Sequence, residues 1–302
     1  MRHFKSIAEF HHFVGLPAPL HPLISVVNVA TVPHSDNPDP QSMAMDFYSI
    51  SVKRMINFKV QYGQRPFDFN DGIMSFIQPN QVLNIDVDDK GKKAEKSGWV
   101  IYIHSDFLWN TALAKTIRQY DFWDYSLNEA LFLSEKEETT INNIIQSIFE
   151  EYQANIDRFS KSIIISHIEA LLNYADRYYH RQFITREKSN HQILERVETL
   201  LADYFNSDDL LLKGLPTVAH VAESLNLSPK YLSSLLKILT GQSAQQHIHE
   251  KLIEKAKEKL STTELSIGEI AYSLGFEHLP SFSKLFKAKT SKTPVEFRAS
   301  FN

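Results

Sequence analysis

The 302-residue chain contains no cysteine, which excludes disulfides, thiolate nucleophiles and zinc fingers built on thiolates. It has no apolar run of about 18 residues, the length that a membrane-spanning helix requires. The stretch 1–20 is broken by histidines and prolines instead of forming the apolar centre of a signal peptide. A cytoplasmic protein without membrane attachment is therefore expected. Glycine-rich phosphate loops and a nucleophile elbow are missing. Metal-dependent catalysis on a β-barrel needs two histidines two apart on a strand, a carboxylate and a later histidine, because the ligands must converge. His11, His12, His21, His34 and His104 lack that arrangement. His247 and His249 are two apart, but they lie in a helical stretch where this spacing turns them to different faces. The group Asp86, Asp88 and Asp89 reads as a turn. Neither catalysis nor a bound metal or cofactor is expected.

What is present divides unevenly along the chain. With 43% hydrophobic residues it can bury substantial cores, and its length calls for two or three domains. The net charge is −4, yet residues 206–302 hold 12 lysines and arginines against 10 acids. That segment is net +2, which leaves −6 for residues 1–205. The acidity belongs to the front, and attraction to a polyanion has to come from local clusters in the back.

The back also repeats itself. Thr217-Val218-Ala219-His220-Val221-Ala222-Glu223-Ser224-Leu225 aligns with Ser266-Ile267-Gly268-Glu269-Ile270-Ala271-Tyr272-Ser273-Leu274 at an offset of 49. After one insertion near Pro280, Leu232-Ser233 and Leu235-Leu236-Lys237 match Phe282-Ser283 and Leu285-Phe286-Lys287 at an offset of 50. Each copy reads as a short helix, a tight turn and an amphipathic second helix, the layout of a helix-turn-helix. Thr217 and Ser266 are placed as N-caps, and Ala222 and Ala271 allow close helix approach. Asn226 and Gly275 suit a left-handed turn, and Ser228-Pro229 opens a second helix, with Pro280 in the same part in copy two. A helical hairpin pair with no ligand is the bland alternative.

Ser266-Ile267, Glu269-Ile270-Ala271, Gly275-Phe276, Phe282, Phe286-Lys287 and Thr293-Pro294-Val295-Glu296-Phe297-Arg298 resemble the carboxy-terminal signature of AraC-type transcription regulators. Leu227-Ser228-Pro229, Tyr231-Leu232 and Leu239-Thr240-Gly241 fit the earlier copy, and the resemblance covers roughly residues 190–302. It implies that the second helix of each copy enters a major groove of duplex DNA and that a connecting helix sets their spacing. Carried over position by position, it names Lys230, Tyr231, Ser233 and Ser234 on the first recognition helix. On the second it names Leu279, Pro280, Ser283, Lys284 and Lys287. Several members have arginine where Ser234 and Lys284 stand here, so the bidentate guanine contact is missing from copy one. Tyr231 either stacks on a sugar or closes the core, and Ser291 replaces a common glycine. The connector is read at residues 244–260 through Ile248, Leu252, Ile253, Ala256 and Leu260. Its lysines 251, 255, 257 and 259 alternate with glutamates 250, 254 and 258, which favours a solvated face with i,i+4 ion pairs over phosphate contact.

The front reads as β structure. Residues 24–29, 47–52, 56–62, 73–77, 82–85 and 99–103 are rich in β-branched and aromatic types. Gly63, Asp71-Gly72, Pro79-Asn80, Gly91 and Gly98 punctuate them, the rhythm of an antiparallel barrel or jelly roll. Residues 63–85 resemble the cupin-like sensor domain of the same regulators, whose mouth can hold a small effector. Tyr48, Phe58, Tyr62, Phe67 and Phe76 either line such a pocket or form core. Apolar stripes follow, through Ile141, Ile144, Ile145, Ile148, Phe149 and Tyr152, then Phe159, Ile163, Ile168, Leu171, Leu172 and Ala175. They cover either the barrel or a twin helix on a second subunit.

The expected fold class is α+β, an amino-terminal antiparallel β-barrel of cupin-like type with flanking helices followed by an all-α double helix-turn-helix domain. The expected division is a sensor at 1–135, a helical dimerisation or coupling region at 136–184, a polar linker at 185–192 and the DNA-binding domain at 193–302. The resemblance implies a sequence-specific regulator, such as an activator, with duplex DNA and RNA polymerase as partners, and leaves a small effector and a homodimer open. The alternatives are an effector-independent regulator and a barrel that binds a protein partner with the DNA domain as tether.

Overall fold

In the computed structural model, the alternating apolar runs of the front become strands and the 3.6-residue stripes become helices. The structure describes residues 2–31, 41–56, 59–62, 65–68, 72–85, 95–155, 157–185, 187–207 and 209–301. The chain falls into two compact units, Met1–Gln182 and Phe183–Asn302.

The amino-terminal unit begins with β1 (Arg2–Phe4), α1 (Ile7–Val14), β2 (Ile24–Asn28), β3 (Gln41–Met45) and β4 (Phe47–Ile56). It continues through β5 (Lys59–Tyr62), β6 (Arg65–Asp68), β7 (Gly72–Ile77), β8 (Leu83–Ile85) and β9 (Glu95–His104). After α2 (Leu113–Thr116) and β10 (Leu131–Leu133) come α3 (Glu135–Gln153) and α4 (Ser160–Thr185). β10, β7, β4, β9 and β2 form a five-stranded antiparallel sheet in that order, and β4 and β9 pair from Phe47↔His104 to Ile56↔Glu95. β1, β3 and β8 form a second sheet, and β5 pairs with β6. The expectation of wholly antiparallel pairing is corrected at one point: β1 runs parallel to β3. A parallel pair needs a crossover, and α1 lies in that connection. Gly98 is not a turn, because β9 begins before it at Glu95. Of the other residues read as turns or ligands, His34, Gly63, Asp71, Asp86, Asp88, Asp89 and Gly91 lie outside the described residues.

The aromatics read as pocket or core divide the same way. Phe58 lies outside the described residues, as do the side chains of Tyr62 and Phe67. Tyr48 and Phe76 are buried, with Tyr48 4.8 Å from the Trp123 ring and Phe76 4.2 Å from that of Phe122. Burying such rings is a large part of what holds a sheet face together. α3 starts on a capping box of Ser134 and Glu137, and Ile141, Ile145, Ile148 and Tyr152 form its buried face. Phe149 meets Trp99 at 4.9 Å, so the sheet itself covers part of this stripe. Arg181 of α4 binds Glu137 at 2.6 Å and also donates to the Phe132 carbonyl, tying α4 to α3 and β10. On α4, Ile168, Leu171, Leu172 and Ala175 are buried, while Phe159 before it and Ile163 stay exposed. The stripe is therefore shorter than the sequence pattern.

The polar stretch read as a linker is helical on both sides of Arg186, itself outside the described residues. Helix α5 (Glu187–Asn206) opens the second helical run. The reason is local: Asn190, polar in sequence, is buried and donates to the Phe183 carbonyl, so it closes the gap between helices. The carboxy-terminal unit continues with α6 (Asp209–Lys213), α7 (Val218–Ser224), α8 (Pro229–Thr240) and α9 (Ala244–Thr262). It ends with α10 (Ile267–Ser273), α11 (Leu279–Thr290) and α12 (Pro294–Ala299).

Candidate nucleic-acid interface

The two repeat copies become α7–α8 and α10–α11. Thr217 caps α7 by accepting from the His220 amide, and Ser266 caps α10 in a full capping box with Glu269. The Glu269 carboxyl lies below its ordinary pKa because the Ser266 hydroxyl and then the Ser266 amide donate to it. The turns use left-handed residues, Asn226 at φ 57 and Gly275 at φ 80, as the sequence implied. Gly275 is further constrained by packing: a Cβ there would stand 3.1 Å from the Gly214 backbone.

The second helices begin differently. Ser228 accepts from the Tyr231 amide at 3.2 Å and Pro229 occupies the first helical position of α8. In α11 the N-cap is His278, which makes no side-chain cap, and Pro280 follows Leu279 instead of opening the helix. The expected equivalence of Pro280 to Pro229 is thus displaced by one residue, because the insertion in copy two falls at this helix start. Both helices end left-handed, at Gly241 (φ 76) and Ser291 (φ 62). The serine takes the glycine's conformation, so the turn is retained.

A single core holds both copies. Val221, Ala222, Leu225, Leu232 and Leu236 of copy one and Ile270, Ala271, Leu274, Phe282 and Phe286 of copy two belong to one buried cluster. Ile248, Leu252, Ile253, Ala256 and Leu260 of α9 run through its middle, and Val197 and Leu201 of α5 join it. The connector stripe is as the sequence spacing predicts. Its ion pairs are not: Lys251 meets Glu254 at 2.8 Å and Lys255 meets Glu258 at 2.9 Å, both i,i+3 and both cation-first. His247 bonds Thr240 Oγ1 and His249 faces Gln245, so the two rings take separate partners. Burial, then the charge of Lys289, lowers the His249 pKa.

Of the residues named for DNA contact, Lys230, Leu279, Pro280, Lys284 and Lys287 are exposed, and Ser233, Ser234 and Ser283 are half-buried. The Ser233 hydroxyl donates to the Pro229 carbonyl at 2.8 Å. Tyr231 is 2% exposed and its ring lies 5.0 Å from that of Phe183, which is the placement of a core side chain. Lys237, exposed in the last turn of α8, is the repeat partner of Lys287; the offset of 50 could have found it. Residues 279–298 hold five cations against Glu296. Arg298 is only half-buried and donates to the Leu260 carbonyl, so it anchors α12 to α9. Glu296 sits in a capping box with Thr293, whose amide and then hydroxyl hold its pKa low. Among the described residues, no group of three His, Cys, Asp or Glu could hold a metal, and no helix is long and apolar enough to cross a membrane.

Two short-turn helix pairs with exposed basic second helices on one core constitute a DNA-binding helix-turn-helix domain. The family model described as "Helix-turn-helix domain" matches residues 221–300. The chain is 38% identical over 82 residues to the arabinose operon regulatory protein of Escherichia coli, covering 27% of this chain and 28% of that protein. It is 31% identical over 144 residues to the uncharacterized HTH-type transcriptional regulator YfiF of Bacillus subtilis, covering 48% and 42%. A solved structure, the C-terminal domain of the two-component response regulator yesN from Fusobacterium nucleatum, matches at 33% identity and a TM-score of 0.31, covering 34% of this chain and 95% of that one. The matches to the curated relatives span under half the length of each. The carboxy-terminal unit thus contains a helix-turn-helix domain over residues 221–300, and the chain shares sequence similarity with transcription regulators.

Proposed function

We propose that the whole chain is a sequence-specific transcription regulator of duplex DNA and not an enzyme. The observation that carries this reading is the pair of helices α8 and α11, fixed on one core with Lys230, Lys237, Lys284 and Lys287 exposed. In it, Lys230, Ser233 and Ser234 of α8 and Leu279, Pro280, Ser283, Lys284 and Lys287 of α11 face the grooves or their phosphates. Tyr231 acts from beneath by fixing α8 against Phe183. Readout by α8 is the weaker, since it has no arginine for guanine and Ser233 is occupied within the helix. The rest of the chain, 1–182, is a cupin-like sensor with its covering helices; it takes up a small effector in the cytoplasm and adjusts contact with RNA polymerase, the protein acting as a homodimer.

The test is selection of a binding site from a random duplex pool with the full chain, followed by variants. Lys284→Ala should weaken binding by roughly 1–3 kcal/mol, whereas Lys257→Ala, on the exposed face of α9, should leave it unchanged. If Lys284 meets a phosphate, the salt slope falls by about one unit; if it reads a base, preference at one position relaxes. An unaltered affinity of Lys284→Ala at two salt concentrations would remove α11 from the interface.

A further inference from the structure

Helices α8 and α11 are copies of one another, yet their outward faces differ in chemistry. Phe282 and Phe286, both fully buried, fix the side of α11 that meets the core. Helical spacing turns Pro280, Lys284 and Lys287 to the opposite side, and all three are exposed. In α8 the buried pair Leu232 and Leu236 sets the same frame. Its outward places go to Lys230 and Lys237, which are exposed, and to the half-buried Ser234. The offset of 50 thus sets Lys230 against Pro280, Ser234 against Lys284 and Lys237 against Lys287.

The first turn is where the faces part most. The residue inserted in copy two moves the proline from the first helical position, held by Pro229 in α8, to the second, where α8 has Lys230. The Pro280 ring offers only carbon and its nitrogen carries no hydrogen, so this position donates no hydrogen bond to a base. Leu279 beside it is 37% exposed and adds apolar surface at the same end. In a helix-turn-helix, the amino end of the second helix is the part that reaches base edges. Those edges present donors and acceptors in the major groove, and the one apolar group among them is the thymine C5-methyl. A polar base atom set against Pro280 would lose water and gain no partner, whereas a methyl has no such cost. A lysine in the same place, as in α8, suits guanine O6 and N7.

We propose that Pro280 determines specificity by packing its ring on the C5-methyl of one thymine in the half-site that α11 reads. The half-site of α8 has no such methyl contact at the corresponding place. The two halves therefore differ in sequence and the whole site has a direction, although the motifs are repeats. This contact requires the reading of DNA by α11 proposed above.

The test uses the full chain and the duplex selected from the random pool. Each thymine is replaced in turn by deoxyuridine, which removes the methyl and keeps the base pair, and affinity is read by fluorescence anisotropy. One thymine should show a loss of about fourfold, the effect of exposing one buried carbon. At that position 5-methyldeoxycytidine opposite guanine should bind more tightly than deoxycytidine by the same factor, because it returns the methyl. In Pro280→Ala, whose side chain stops at Cβ, the deoxyuridine penalty at that position should vanish. Pro280→Lys gives copy two the residue of copy one, and a repeated selection should then replace that thymine with guanine. A selected site in which no thymine responds to loss of its methyl would overturn the proposal and leave the regulator reading standing. So would a penalty that persists in Pro280→Ala, or a thymine retained by Pro280→Lys. If selection enriches no site at all, the regulator reading fails and the thymine contact with it.

Discussion

Gly241 and Ser291 close α8 and α11 in the same left-handed backbone, at φ 76 and φ 62, and one of them carries a side chain. For a residue with a Cβ this conformation costs about 1–2 kcal/mol, against about 0.5–1 kcal/mol for the extra freedom that glycine loses on folding. Ser291→Gly should therefore stabilise the carboxy-terminal unit by about 1 kcal/mol. A Cβ at Gly241 would meet nothing within 4 Å, so Gly241→Ser adds backbone strain without a clash and should cost the same amount. In a unit of this size that corresponds to a change of roughly 3–6 °C in melting temperature, up for the first variant and down for the second. The exchange of both should return to within about 0.5 kcal/mol of the unaltered chain, because the sites are on separate helices. Scanning calorimetry of the full chain, read on the transition of residues 183–302, measures all three. A neutral or destabilising Ser291→Gly would show that Ser291 has compensating interactions and would refute the strain argument.

Gly275→Ala should destabilise more than Gly241→Ala, because it adds the 3.1 Å approach to Gly214 to the same positive φ; equal losses in urea unfolding would contradict this. Glu269 and Glu296 have lowered pKa values through their cap bonds, so their contribution is present above the ordinary glutamate range and is lost as pH falls through the folded pKa. Replacing both with glutamine should flatten the acid limb of stability below about pH 5, and an unchanged limb would show that the caps do not titrate. A fragment of residues 183–302 has its own core and should bind the selected duplex alone, more weakly than the full chain if pairing of chains helps; a fragment that melts cooperatively yet binds no DNA would place essential contacts in the other unit.

The repeat was legible because two copies at nearly constant offset report the same hydroxyl caps, small residues and left-handed turns, and each signal is local. The apolar stripe on α9 was legible from its helical spacing, while the single core that it shares with both copies is seen only in the structure. The displacement of Pro280 was not legible, since an insertion can be absorbed on either side of a helix start. On the amino-terminal side, strands with β-branched and aromatic residues were readable. β3, whose residues Gln41-Ser42-Met43-Ala44-Met45 include neither type, was not, and β1 is too short to show a period. Helix α1 had its cap in plain view, Ser6 accepting from Glu9 with Gly15 closing it, but two histidines interrupt the stripe. Asn190 is the opposite case: its polar type suggested a linker, while its buried bond to Phe183 makes the same segment helical.

The core that runs unbroken from α5 through α9 to α11 has a metrological consequence. Helices joined by a flexible tether can each follow their own half of a target, whereas two helices set in one packed body share a fixed phase. Inserting one base pair between the halves rotates the second by about 34° and carries it about 3.4 Å along the axis. A packed interior does not shear by that amount without losing contacts. On the proposed reading of DNA by both helices, the domain is a gauge as well as a reader, and spacing is part of the message that it decodes.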